Sequence, residues 1–161
     1  MRAKLYPTRN DLPEPTRRAM ITLLNQQLAD ALDLGLQAKQ AHWNVKGVNF
    51  LSLHELFDKV ATELEEAIDE IAERAVELGG IATGTSQIIS RHSRLKAYPA
   101  DITSGTDHIA ALANALGEFG KSTRSAIDAA TAGGDANTAD LFTGLSRTVD
   151  KLLWQVEAHA V

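Results

Sequence analysis

Cysteine is absent from the sequence, so it offers neither a disulfide framework nor a thiolate metal site. Aromatic residues make up only 5% of the chain, and runs of β-branched residues are few, which argues against a β-rich core. No apolar stretch approaches the roughly 20 residues needed to cross a bilayer. The polar N-terminus also lacks the apolar segment of a signal peptide, so no membrane partner is expected. P-loop, Gly-x-Gly-x-x-Gly and His-Glu-x-x-His motifs are all missing. Ser- or Cys-based nucleophilic catalysis finds no support either. A net charge of −5 makes the body an unfavourable surface for nucleic acid.

What is present is helical. With 161 residues, 44% of them hydrophobic, the chain fits one domain with a useful core. Residues 1–15 read as an irregular N-terminal tail broken by Pro7, Pro13 and Pro15, and residues 16–161 as the helical domain. A first helix is predicted from Pro15–Thr16 to about Asn44, through Met20, Leu24, Leu28, Ala31, Gly35, Ala38 and His42. Gly47 pivots the turn that follows. The second helix is predicted from Ser52, with Glu55 completing a capping box, to Leu78, where Gly79-Gly80 stops it. Its stripe of Leu53, Phe57, Val60, Leu64, Ala67, Ile71 and Leu78 marks the core face. Residues 81–100 form a connection too long to be idle, with a short helix over Ser86–His92. Third and fourth long helices are predicted over 104–130 and 138–159. The fold class expected is all-α, a ferritin-like four-helix bundle with a long crossover carrying a short helix between helices 2 and 3.

The chemistry concentrates between His42 and Glu73. His54 and Asp58 are four residues apart, as are Asp69 and Glu73, so each pair projects from one helix face. Imidazole with carboxylate suits iron, zinc or manganese. Asp58 and Asp69 lie about 16 Å apart along a straight helix. With metal–ligand bonds of roughly 2.0–2.2 Å, the pairs cannot share one ion within a subunit. Their directions agree within about 20°, and they are symmetric about the Glu63–Leu64 junction. Two copies crossing antiparallel there bring His54 and Asp58 of one against Asp69 and Glu73 of the other, twice per contact.

The four residues centre about 150° from the apolar stripe, so they face away from their own bundle. For any single carboxylate, a solvated face shared with Glu63, Glu65, Glu66 and Glu70 is the plainer reading. The matched set with His54 favours a shared metal site at a subunit interface. His42 continues an apolar stripe, and spacing alone makes it an interior histidine. No Glu-x-x-His occurs, so the usual di-iron motif inside one bundle is missing.

With these residues in view, nearly the whole chain resembles the Dps family of miniferritins, the DNA-binding proteins from starved cells. The resemblance rests on KQAHWNVKG, FLSLHELFD, DEIAERAVELGG, LKAYP and TADLFTGLSRTVDKLLW. It implies that His42, His54, Asp58, Asp69 and Glu73 are the catalytic iron ligands of a ferroxidase centre, which moves His42 into the ligand set. It further implies a homo-oligomer, a dodecameric shell with such centres at its two-fold contacts. There Fe(II) is oxidised by hydrogen peroxide in preference to dioxygen and stored as ferric mineral, protecting DNA from oxidative damage. The iron is held as a di-iron or single-iron site per interface half, with zinc or manganese as possible occupants.

Trp43 resembles the family's tryptophan beside the site, and plain interface packing is its equal alternative. Lys39 is placed to pair with an empty carboxylate or to stand in solvent. Asp140, and more weakly Asp135, match acidic positions lining an ion channel. Their alternative role is to favour the positive end of the last helix; one position acidic in some relatives is Ala136 here. DNA binding is expected to be weak or absent: the tail carries only Arg2, Lys4 and Arg9, and the last helix ends with the chain at Val161. The expected location is the cytoplasm, associated with the nucleoid if DNA is bound. A DNA-coating nucleoid protein whose metal sites serve assembly is the alternative function, and a plain helical oligomer a third.

Overall fold

Every residue of the second-helix stripe is buried, and the fold is assembled around it. The computed structural model describes residues 4–160, and all the extended elements among them are helices. These are α1 (Glu14–Asn44), α2 (Phe50–Glu77), α3 (Ser86–His92), α4 (Gly105–Ala132) and α5 (Ala136–Glu157). α1 packs along α2 and α4 along α5; α1 also meets α4, α2 meets α5, and α3 lies on α1. Leu24, Leu28, Phe57, Leu64, Ile71, Leu112, Leu116, Phe119 and Phe142 fill the centre with 2% exposure or less. Burial of each such side chain stabilises by about 1.5–3 kcal/mol before the entropy of ordering is subtracted.

The helix ends follow local chemistry with one departure. Ser104 caps α4 by accepting from the Asp107 N–H, and Asp135 caps α5 by accepting from the Thr138 N–H. The Ser52–Glu55 capping box does not form. α2 starts two residues earlier, at Phe50, behind Asn49, and the Ser52 hydroxyl donates to the Asn49 carbonyl at 3.0 Å. The α1–α2 turn takes its positive φ of 115° at Gly47.

The crossover is held by polar residues of α1. Asn25 donates to the Ile81 carbonyl and accepts from the Thr83 N–H, and Gln26 and Gln37 donate to the carbonyls of His92 and Lys96. Asp30, 1% exposed, accepts from the Arg94 backbone and guanidinium. These polar groups of α1 are thereby paired, as burial demands.

The segment before α1 is irregular but laid down on the bundle. The Tyr6 N–H donates to the Gly79 carbonyl at 2.7 Å, and Leu5 and Leu12 pack against the core. Gly79 has φ 87°, and a Cβ there would stand 2.6 Å from the Tyr6 carbonyl oxygen. Glycine is therefore required both by the turn and by the segment crossing it. Arg2 and Val161, which entered the reading of the two ends, lie outside the described residues. No helix among the described residues is long and apolar enough to cross a membrane.

Candidate metal centre

Two helix ends present the histidines. His42 stands in the last turn of α1 and His54 in the second turn of α2, and the short turn between folds one ring over the other. The rings stack with centroids 3.7 Å apart and planes 20° from parallel. His42 Nδ1 lies 2.8 Å from the His54 carbonyl oxygen, and His54 Nδ1 lies 2.8 Å from the His42 carbonyl oxygen. A carbonyl only accepts, so each Nδ1 carries the proton and donates. Both Nε2 atoms are then left with a free lone pair, the state in which imidazole binds a metal. Neither ring can turn without breaking its clamp.

Asp58 stands beside them, its carboxylate 4.0 Å from His42 Nδ1, and accepts from Lys39 Nζ at 2.6 Å. The Lys39 hydrogen bond holds the Asp58 carboxyl below the usual range. The Lys39 charge and the two imidazoles add to that, against a smaller opposing effect of desolvation. The carboxylate therefore stays ionised at neutral pH, paired with the Lys39 ammonium.

Asp69 and Glu73 are exposed further along α2 and have no hydrogen-bond or ion-pair partner among the described residues. His42, His54 and Asp58 are thus brought together, while Asp69 and Glu73 are kept apart from them. Among the described residues, no three His, Asp or Glu side chains of one chain converge closely enough to hold an ion.

Trp43 is 64% exposed beside this cluster, with Lys39 Nζ 6.0 Å from its ring centroid, the outer limit of a cation–π contact. Val48, Phe50 and Leu51 are also exposed, and the Phe50 ring lies 5.0 Å from that of His54. Sequence reasoning passed over these three. Their signal was an apolar run, VNFL, at a turn where no core face needed one.

The two channel candidates part company. Asp140 is exposed and lines an open groove of about 460 Å³ with Glu70, Glu73, Glu77 and Arg147. Asp135 is 2% exposed and already engaged. It accepts from Arg74 Nη2 at 2.9 and 3.1 Å, from the Thr138 hydroxyl at 2.6 Å and from the Thr138 N–H. Burial pushes its carboxyl up, and the bonds from Thr138 and the Arg74 guanidinium overcome that, so the group sits below the usual range. Asp135 is a helix cap with a buried counter-ion, a use of the kind given above as its alternative at the start of the last helix.

With the geometry fixed, comparisons with known proteins are informative. A ferritin-like domain model matches residues 21–161. The DNA protection during starvation protein of Agrobacterium fabrum is 48% identical over 156 residues, covering 97% of this chain and 96% of the relative. DNA protection during starvation protein 1 of Deinococcus radiodurans is 31% identical over 147 residues, covering 91% of this chain and 71% of the relative. Among solved structures, DpsC from Streptomyces coelicolor superposes with a TM-score of 0.92 at 31% identity, covering 99% and 92% of the two chains. Mycobacterium smegmatis Dps superposes at 0.90 with 30% identity, covering 99% and 94%.

Proposed function

The chain belongs to the Dps family of ferritin-like proteins, and from that premise we propose that it is a ferroxidase and iron-storage protein. Fe(II) is its substrate, bound at centres shared across a two-fold contact between subunits of a dodecameric shell. One subunit supplies His42, His54 and Asp58; Asp69 and Glu73 of the partner subunit complete the set. Neutral imidazole nitrogens and anionic carboxylates together suit iron, and the carboxylates favour the ferric product.

Two Fe(II) ions each give one electron to hydrogen peroxide; its O–O bond breaks and, with two protons, it leaves as two waters. Consuming both electrons in one event avoids releasing hydroxyl radical, which protects DNA whether or not DNA is bound. Asp140 and its groove offer carboxylates that concentrate Fe(II) by field focusing. The exposed Trp43, Val48, Phe50 and Leu51 beside the half-centre give the contact an apolar rim.

The observation carrying this reading is the reciprocal clamp between His42 and His54, which frees both Nε2 atoms beside an ionised Asp58. Stopped-flow oxidation of Fe(II) by peroxide tests it. Replacing His42 and Asp58 together by alanine should abolish the fast phase in an assembled shell. An unchanged fast phase would refute the assignment and leave the metals a structural role.

The DNA-coating alternative has less support. Lys4 stands 4.8 Å over the Tyr6 ring, on a segment tied to Gly79, and is not part of a free basic arm.

A further inference from the structure

LKAYP, one of the stretches that carried the family resemblance, has no part in the iron centre, yet it delivers a tyrosine to a buried histidine. The Tyr98 hydroxyl lies 2.7 Å from Nδ1 of His108, and the two rings stand 6.0 Å apart and 17° from parallel. His108 is 1% exposed, in the first turn of α4. Its Nε2 is buried without a hydrogen-bond partner among the described residues. Backbone groups of Asn44 and Ile102 favour the protonated ring, and burial opposes them more strongly. The Tyr98 hydroxyl has no other acceptor among the described residues, so it donates to Nδ1, and the neutral ring carries its proton on Nε2. A second contact leads toward the iron ligands. The His108 ring lies 6.2 Å from that of Phe57, which immediately precedes Asp58.

A phenol joined to a neutral imidazole in a low-dielectric setting is the arrangement in which tyrosine loses an electron most readily. Alone, its oxidation would leave a strongly acidic cation buried with nowhere to put the proton. With an acceptor already hydrogen-bonded, electron and proton depart together. Burial pushes the Tyr98 phenol up and the His108 imidazole down, so the pair rests as neutral phenol and neutral base.

We infer that Tyr98 and His108 form a proton-coupled redox site that quenches one-electron oxidants generated at the neighbouring iron centre. This rests on the ferroxidase reading for the source of the oxidant. A lone Fe(II) meeting peroxide yields hydroxyl radical. Tyr98 gives it one electron, reducing it to hydroxide, and the phenolic proton passes to His108 Nδ1, leaving a neutral tyrosyl radical and an imidazolium. A further Fe(II) ion returns the electron and Nδ1 returns the proton, restoring the pair. Tyr98 also lines an open cleft of about 230 Å³ with Gln37, Leu95 and Glu118, through which a small reductant can reach it.

The test uses the assembled, iron-free protein and a photogenerated one-electron oxidant, with the radical read by freeze-quench electron paramagnetic resonance. A tyrosyl signal is expected in the parent protein, lost in Tyr98→Phe although Tyr6, the second of the two tyrosines, remains. His108→Phe should lose most of it, and heavy water should slow its formation in the unsubstituted protein, a measurement that needs no variant to fold. A signal that survives Tyr98→Phe, or formation insensitive to heavy water, would overturn the proposal. Substituting Fe(II) and peroxide for light should produce the same Tyr98 radical. Its absence there, with the light-driven signal intact, would count against iron oxidation as the source of oxidant and not against the redox pair.

Discussion

His42 and His54 hold each other's backbone carbonyls through Nδ1, both at 2.8 Å, so each fixes the tautomer and orientation of the other. Each clamp runs to a backbone carbonyl, so replacing either ring removes the stacking partner of the survivor and leaves its hydrogen bond in place. His54→Ala should therefore cost the centre a ligand and the ring stacked on His42, while His42 keeps its hydrogen bond to the carbonyl of residue 54. Metal affinity at the centre is expected to fall by more than the tenfold to hundredfold typical of losing an outer-shell partner. Titration of the assembled variant with Zn(II) or Co(II) measures this, with shell size as the control.

Lys39 Nζ holds one oxygen of Asp58 at 2.6 Å, so in the proposed centre it competes with an incoming cation. Lys39→Gln should tighten binding of the first divalent ion about two- to fivefold, the scale of an exposed ion pair. The effect should shrink as salt is raised, because both partners are partly exposed. Calorimetric titration at two ionic strengths checks both statements.

Asp135 and Arg74 are buried at the start of α5, where Asp135 is also the cap. Asp135→Ala removes the cap and the buried partner of Arg74 Nη2, while Arg74 keeps Glu77 and the Thr138 hydroxyl, with an expected cost of about 1–3 kcal/mol. Asp135→Asn keeps a competent cap and should cost less. The folded Asp135 carboxyl lies below its unfolded value, so its stabilisation is present above that value and lost as pH falls through the folded one. The gap in melting temperature between the parent and Asp135→Asn should thus narrow below about pH 4. Thermal melts from pH 3 to 7 measure it.

Gly79→Ala places a side chain at φ 87° and 2.6 Å from the Tyr6 carbonyl. The clash is relieved by letting the N-terminal segment go, while the left-handed backbone of the alanine costs about 1–2 kcal/mol in addition. Limited proteolysis should cut within residues 4–12 faster than in the parent. A gel shift with DNA, weak or absent in the parent, should strengthen once Lys4 and Arg9 are released.

The sequence made the bundle legible because its helices are long and strongly periodic. Leu53 through Leu78 could only face a core, and Ser86–His92 was bounded by turn chemistry. The α2 start was misplaced because Ser52 and Glu55 satisfy a capping pattern, while Asn49 ends the preceding turn first. The hold on the crossover was hidden, since Asn25, Gln26, Asp30 and Gln37 read locally as the wet face of a helix. Spacing alone put His42 in the interior. Its orientation depends on a stacking partner twelve residues on, a relation that exists only once the α1–α2 turn is closed. Asp135 shows the reverse: an acidic residue at a helix start invites a cation role, and only Arg74, 61 residues away in sequence, reveals its use.

The division of the centre between subunits can be tested by mixing two inactive variants. One carries His54→Ala with Asp58→Ala, the other Asp69→Ala with Glu73→Ala, and each shell alone should lack the fast oxidation of Fe(II) by peroxide. Unfolded together in equal amounts and reassembled, they form mixed two-fold contacts with one complete centre and one lacking both halves. Random pairing should restore about a quarter of the parent's fast phase. Mixed shells that remain inactive, with reassembly verified, would contradict a shared centre.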